Sequence, residues 1–173
     1  ISFTAASVDW VMSLEPHWYS TIFAWYLFSG LFVGGLAAIT LLLILLKRRG
    51  EFQELRQGHL HDLGRLIFAF SVFWAYMWFS QFLLIWYSNI PEETVYFALR
   101  FRGGWAILFW VNLAVNLLLP FGLLLRAGDK RAEGRLLAAC GIILAGRWLD
   151  LFVMIMPSQM PDVSPSQYST PPP

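Results

Sequence analysis

The sequence predicts an all-α integral membrane protein folded as an antiparallel four-helix transmembrane bundle. Three observations lead there. Charge is scarce: 13% of the 173 residues are Asp, Glu, Lys or Arg and 58% are hydrophobic, where a soluble domain carries about 25% charged residues. The charges are also clustered. None occurs from Pro16 to Leu46, from Leu66 to Pro91 or from Gly103 to Leu125, and each gap exceeds the roughly 20 apolar residues that cross a bilayer. Finally, basic residues alternate by side. Lys47, Arg48, Arg49, Arg56 and Arg65 lie between the first two gaps, and Arg126, Lys130, Arg131 and Arg135 follow the third. Residues 1–19 and the tail after Met156 hold no Lys or Arg, and the connection 91–102 holds only Arg100 and Arg102. The positive-inside rule then puts the basic loops in the cytoplasm. Both ends of the chain and the connection 91–102 are expected in the periplasm, around a bacterial inner (cytoplasmic) membrane crossed several times.

In chain order, residues 1–19 read as a periplasmic interfacial segment. Asp9, Trp10, Met12, Leu14 and Trp18 suit a short amphipathic stretch, Pro16 breaks it from the next helix, and Trp10, Trp18 and Tyr19 fit an aromatic belt. The chain begins at Ile1 with no basic residue ahead of its first apolar run, so it shows no signal peptide and reads as a processed product or a fragment of a longer protein. The first span, about 20–46, carries Gly30, Gly34 and Gly35, small residues spaced to let another backbone approach. The second, about 66–90, has aromatics on every face, which reads as membrane packing rather than a quinone or carotenoid cradle. The third, about 103–125, sets Asn112 and Asn116 on one face and holds Pro120, the only proline well inside a span. The fourth, about 136–156, repeats the small-residue device with Gly141 and Ala145. Residues 157–173 are Pro- and Ser-rich, an extended periplasmic arm expected to lie on a partner. Short connections make successive helices antiparallel neighbours. There is no internal repeat.

Several chemistries drop out. A net charge of +1 with no basic stripe gives nothing for nucleic acid to bind. The single cysteine, Cys140, excludes an internal disulfide and a thiolate zinc or iron–sulfur site held by this chain alone; within an apolar helix it reads as a small packing residue. A haem between helices needs two histidines at one depth, yet His17 belongs to the outer side and His59 and His61 to the inner. His59, His61 and Asp62 are too sparse a set for zinc, because residues two apart do not share a helix face; they read as a polar helix start, with Arg65 at the headgroups. No metal is expected, and no residue stands out as a quinol base. Glu15, His17 and Tyr19 suit the interface belt better than an outer pocket.

Arg147 and Asp150 remain, in the middle of the fourth span. A charge at the bilayer centre costs about 2.5–3.5 kcal/mol on insertion scales. Three residues apart, the two side chains can meet, and they are expected to point into the bundle toward Asn112, Asn116 or Gln81. Two roles stay open: an ion pair that fixes helix rotation and register, or a step in a proton or quinol-coupled path. For the second, His61 and Asp62 would collect protons on the cytoplasmic side, Tyr76, Ser80 and Gln81 would lead inward, and Asn112, Asn116, Asp150 and Arg147 would continue at mid-depth. Half of a secondary transporter is disfavoured, because the helices lack Gly/Pro-broken binding segments.

The stretches "DWVMSLEPHWYSTIFAWYLFSGLF", "HLHDLGRLIFAFSVFWAYMWFSQFLLIWYSNIPEET" and "RFRGGW" closely resemble ActF, the second NrfD/PsrC-like membrane subunit of bacterial alternative complex III, over nearly the whole chain. The resemblance implies a place in a respiratory quinol:electron-acceptor oxidoreductase. Such a complex oxidises menaquinol or ubiquinol and passes electrons through iron–sulfur clusters and c-type haems on other subunits to cytochrome c or another acceptor. The implied partners are the second NrfD-like subunit, an iron–sulfur subunit, c-type cytochrome subunits and membrane lipid. It further implies a membrane-core subunit with no redox cofactor of its own, non-catalytic in itself, through which proton translocation has been proposed. Subunits of this type contain two four-helix bundles, and the chain matches the C-terminal one.

Overall fold

The computed structural model describes residues 2–15, 18–51, 54–101, 103–125 and 133–159, apart from the side chain of Glu92. Every regular element among them is helical. Four helices are long and apolar enough to cross a membrane, as the charge gaps require. The His17 position, Arg102, most of the second basic loop and the tail beyond Gln159 lie outside the described residues.

Helix α1, Ser2–Trp10, is followed by a 3-10 turn, Met12–Leu14. Helix α2, Phe23–Arg48, ends where the chemistry changes: Lys47 and Arg48 occupy its last turn, favourable at the negative end of the helix dipole. Gly50 takes φ 90°, its N–H donating to the Lys47 carbonyl while that of Glu51 reaches the Leu46 carbonyl, the paired bonds of a Schellman stop. Helix α3, Gln57–Ser88, begins well before Leu66, its first turns extending the polar start at His59 and Asp62. It stops at Asn89, held at φ 47°, where asparagine tolerates the left-handed region.

The connection read from the sequence as a loop holds a helix, α4, Pro91–Arg100. Proline at its first position lacks only an N–H that the first turn leaves unbonded anyway, and Arg100 closes its last turn. Helix α5, Trp105–Leu124, contains a π-turn at Ala114–Leu118. Pro120 cannot donate to the Asn116 carbonyl, and its ring crowds that carbonyl; a widened turn just before it accommodates both defects. Helix α6, Glu133–Ile155, runs on into a 3-10 turn, Met156–Gln159.

The four long helices form a ring in which α2 packs on α3 and α6, and α5 packs on α6 and α3. Two apolar clusters fill it. One, toward α1 and α4, includes Phe23, Trp74, Phe97, Phe109 and Val153. The other, toward the basic loops, includes Ile44, Leu60, Ile67, Leu124, Leu136 and Ile143. Lys47 and Glu133 pair at that basic end, tying α2 to α6. Leu31, Ile39, Leu42, Leu84, Ile107 and Leu118 face outward, as a lipid-bathed surface requires.

A buried ionic network and its partner at the bundle end

Between the two apolar clusters, all four long helices contribute to one polar network. Asp150 on α6 is buried. Its Oδ1 accepts from the Tyr26 hydroxyl on α2 at 2.6 Å and from Asn112 Nδ2 on α5 at 2.7 Å. Its Oδ2 accepts from Arg147 Nη1 at 3.3 Å. Arg147 Nε donates to Asn116 Oδ1 at 2.8 Å, and Asn116 Nδ2 donates to Asn112 Oδ1 at 2.6 Å and to the Gly146 carbonyl at 3.0 Å. The guanidinium carbon lies 4.1 Å above the Trp74 ring of α3, a cation–π contact. The ion pair is thus joined twice, directly and through two asparagines whose amides all point their donors toward the carboxylate. Such a chain polarises each member in the same sense. Asp150 lies five residues before the end of α6, roughly 8 Å of helix rise, and Arg147 lies close to the middle of the span Glu133–Gln159.

Glycines make room for it. A Cβ at Gly146 would lie 2.5 Å from Asn116 Oδ1, and one at Gly30 would lie 2.7 Å from Arg147 Nη1. Gly34 would meet Arg147 Cγ at 3.4 Å. Gly30 and Gly34 therefore admit an arginine side chain, not the close backbone the sequence suggested, and a Cβ at Gly35 would meet nothing within 4 Å. Gly141 and Ala145, read as the matching device, are exposed, and the glycine that matters on α6 is Gly146. A groove of ≈ 350 Å³ runs along this α2–α6 seam, lined by Gly30, Gly34, Gly35, Ala38, Arg147 and Asp150, among others.

A second network closes the bundle at the α1 and α4 end. The Arg100 side chain is 1% exposed. Its Nε donates to the Val153 carbonyl at 3.2 Å, Nη1 to the Tyr96 carbonyl at 2.7 Å and Nη2 to the Met154 carbonyl at 2.5 Å. Nη1 and Nη2 also reach Glu15 Oε1, at 3.2 and 3.1 Å. The Val153 and Met154 carbonyls belong to the last turn of α6, where backbone acceptors run out of helical donors. Arg100 also lies 3.4 Å from the Tyr96 ring centre, and Trp18 stacks on the same ring. Burial pushes the Glu15 carboxyl above the ordinary carboxylate range, with Arg100 opposing. Burial likewise raises the Tyr96 phenol to about 12, Arg100 lowering it and Glu15 and Asp150 adding to the rise.

The family model described as polysulphide reductase, NrfD, matches residues 1–161. This chain belongs to the NrfD family. No curated protein matches it. NrfD proteins are membrane subunits of quinol oxidoreductase complexes, and their partners there are iron–sulfur and cytochrome subunits.

In this NrfD chain the residues singled out from sequence divide into two groups. Arg147, Asp150, Asn112 and Asn116 converge. Gln81 is 3% exposed and lines a cavity of ≈ 20 Å³ together with Tyr26, Asn112 and Asp150 on one side and Tyr96 and Arg100 on the other. Tyr76, in contrast, is 61% exposed. The inner face of α3 is Leu60, Gly64, Ile67, Ser71, Trp74, Gln81 and Ile85, and a residue two past Trp74 points roughly the opposite way. Ser80 lies beside that face, half-buried. At the basic end His61 is half-buried, and exposed Asp62 pairs loosely with Arg65 at 4.0 Å. The apolar cluster of Leu60, Ile67, Leu136 and Ile143 stands between that end and the network. His59 serves as a cap, its Nδ1 accepting from the Arg56 N–H. Among the described residues no three His, Cys, Asp or Glu side chains gather as a metal site. Tyr26, Trp74 and Arg100 were missed. Tyr26 and Trp74 sit in aromatic-rich helices with nothing to mark rotation, and Arg100 read as a loop charge.

Proposed function

We propose that the chain is the ActF-type membrane-core subunit of an alternative complex III, a respiratory quinol:cytochrome c or other acceptor oxidoreductase. In this reading it binds no redox cofactor itself and packs beside the second NrfD-like, iron–sulfur and c-type cytochrome subunits. It sits in the bacterial inner membrane with its basic loops cytoplasmic and the α1 and α4 end periplasmic. Its own work is to set the Arg147–Asp150 pair within the membrane, in a proton half-pathway coupled to quinol oxidation elsewhere in the complex.

One observation carries this reading: a carboxylate buried in the bundle accepts from a phenol, an amide and a guanidinium, none of them backbone. Intramembrane ionisable groups commonly mark proton routes, and a carboxylate held by side chains can change charge without unfolding a helix. The same ring of bonds also suits a purely structural subunit in which the pair fixes helix rotation. Asp150→Asn in the intact complex separates the two. The half-pathway reading expects an assembled complex with slowed quinol oxidation and reduced proton translocation. Unchanged turnover and translocation in an assembled variant would leave the structural reading.

A further inference from the structure

We propose that one buried water binds where α3, α4 and α6 meet, held by the Gln81 side chain and the Tyr96 hydroxyl, and supplies a fourth hydrogen bond to the Asp150 carboxylate. The site is independent of the half-pathway: it needs only the ≈ 20 Å³ cavity between the two networks and the groups around it. A cavity of about 10–15 Å³ already admits one water, provided two to four polar partners meet it.

The polar groups lining this cavity fall into two sets. Those of the first are already bonded. The Tyr26 hydroxyl donates its proton to Asp150. Arg100 has five N–H donors, and its five bonds go to the Val153, Tyr96 and Met154 carbonyls and to Glu15. Asn112 donates from Nδ2 to Asp150 and accepts at Oδ1 from Asn116. The second set has bonding capacity left. Gln81 is almost fully buried and lines the cavity, yet its side chain forms no hydrogen bond with the described residues. The Tyr96 hydroxyl is likewise in no hydrogen bond among them, and Tyr96, also buried, lines the cavity from α4. An ionised carboxylate offers about four acceptor sites, and Asp150 uses two at Oδ1 and one at Oδ2.

A buried amide or hydroxyl with no partner is costly, and one water relieves both. It accepts from the Tyr96 hydroxyl and donates to the Gln81 carbonyl oxygen and to Asp150. The donated bond favours the charged carboxylate opposite Arg147, so the water belongs to the ion pair's support and carries no proton away. It also gives α3 a second hold on the network. Gln81 lies seven residues beyond Trp74, two helical turns, so the ring under Arg147 and the water on Gln81 grip one face of α3 at two heights.

Two measurements on the intact complex test the site, and neither reads turnover. A density map fine enough to resolve waters should show one water in the cavity, within hydrogen-bond reach of Gln81, Tyr96 and Asp150. A dry cavity, or a Gln81 amide bonded directly to protein, overturns the site; this map decides even where a variant fails to assemble. The second measurement is a double-mutant cycle on thermal unfolding. Gln81→Leu fills the cavity with hydrocarbon, and Tyr96→Phe removes only a hydroxyl while keeping the ring that stacks on Trp18. Because both variants lose the same water, the double variant should lower the Tm by less than the two single shifts combined. Additive shifts would mean that the two side chains share no ligand, and the site would fall.

Discussion

Arg100 and Arg147 are both arginines set among buried groups of one helix bundle, and they are held in different ways. Arg100 makes five hydrogen bonds, three of them to backbone carbonyls that never change charge. Arg147 makes two, both to side chains, and one of its partners is a carboxylate. Arg100 bonds chiefly to backbone in the buried last turn of α6 and in its own helix, so most of what it fixes does not depend on a side-chain charge. Arg147 bonds only to side chains, which can rotate, so its arrangement can respond. The difference separates a clasp from a switchable element more directly than depth in the membrane does.

The contrast can be broken first at the clasp. Arg100→Leu strands Glu15 and three carbonyls, and loss of one member of a buried pair typically costs about 3–5 kcal/mol. Thermal unfolding of the purified complex should show a larger drop for this variant than for Arg147→Leu, whose Asp150 keeps the Tyr26 and Asn112 donors. Equal drops would erase the distinction. Next, Gly146→Ala drives a methyl into the Asn116 amide, with an expected cost of about 1–3 kcal/mol for overpacking. Gly30→Ala is tight only against the flexible end of Arg147, with the Trp74 ring in ordinary contact at 3.5 Å, and should cost less, read on the same unfolding scale. Gly141→Ala meets nothing within 4 Å and should be neutral or stabilising by up to about 1 kcal/mol through helix propensity. The smallest effect is on pH dependence. Because Glu15 has a raised carboxyl pKa, the folded state holds a proton there that the unfolded chain has already released. The stability this lends is present below the ordinary carboxylate range and is lost as pH rises through the raised value. Glu15→Gln should flatten that part of the stability–pH curve; an unchanged slope would place the titration elsewhere.

The four spans were legible because hydrocarbon length is written directly into charge-free runs. The meeting of Arg147, Asp150, Asn112 and Asn116 was legible as well, since spacings of three and four residues fix a shared face and no isolated charge is tolerated there. What escaped was rotation. In α2 and α3 nearly every position is apolar or aromatic, so nothing in the sequence said that Tyr26 and Trp74 turn inward while Tyr76 turns out. Helix α4 escaped for another reason: its stability comes from Pro91, its terminal charges and burial of Tyr96 and Phe97, in a stretch too short and mixed for hydropathy to find. The glycines were noticed but their tenant was misjudged, because spacing shows that something approaches closely without showing what.

The π-turn in α5 carries one further consequence. By inserting extra arc just before Pro120, it decouples the rotational phase of the helix's basic half from that of its other half. Were the same residues wound as a regular α-helix, everything beyond would turn by about 100°. Leu124, now sealed in the core, would swing out of it, while Asn112 stayed in place. The polar and the oily parts of this helix are therefore aimed independently, like two keys cut on one blade.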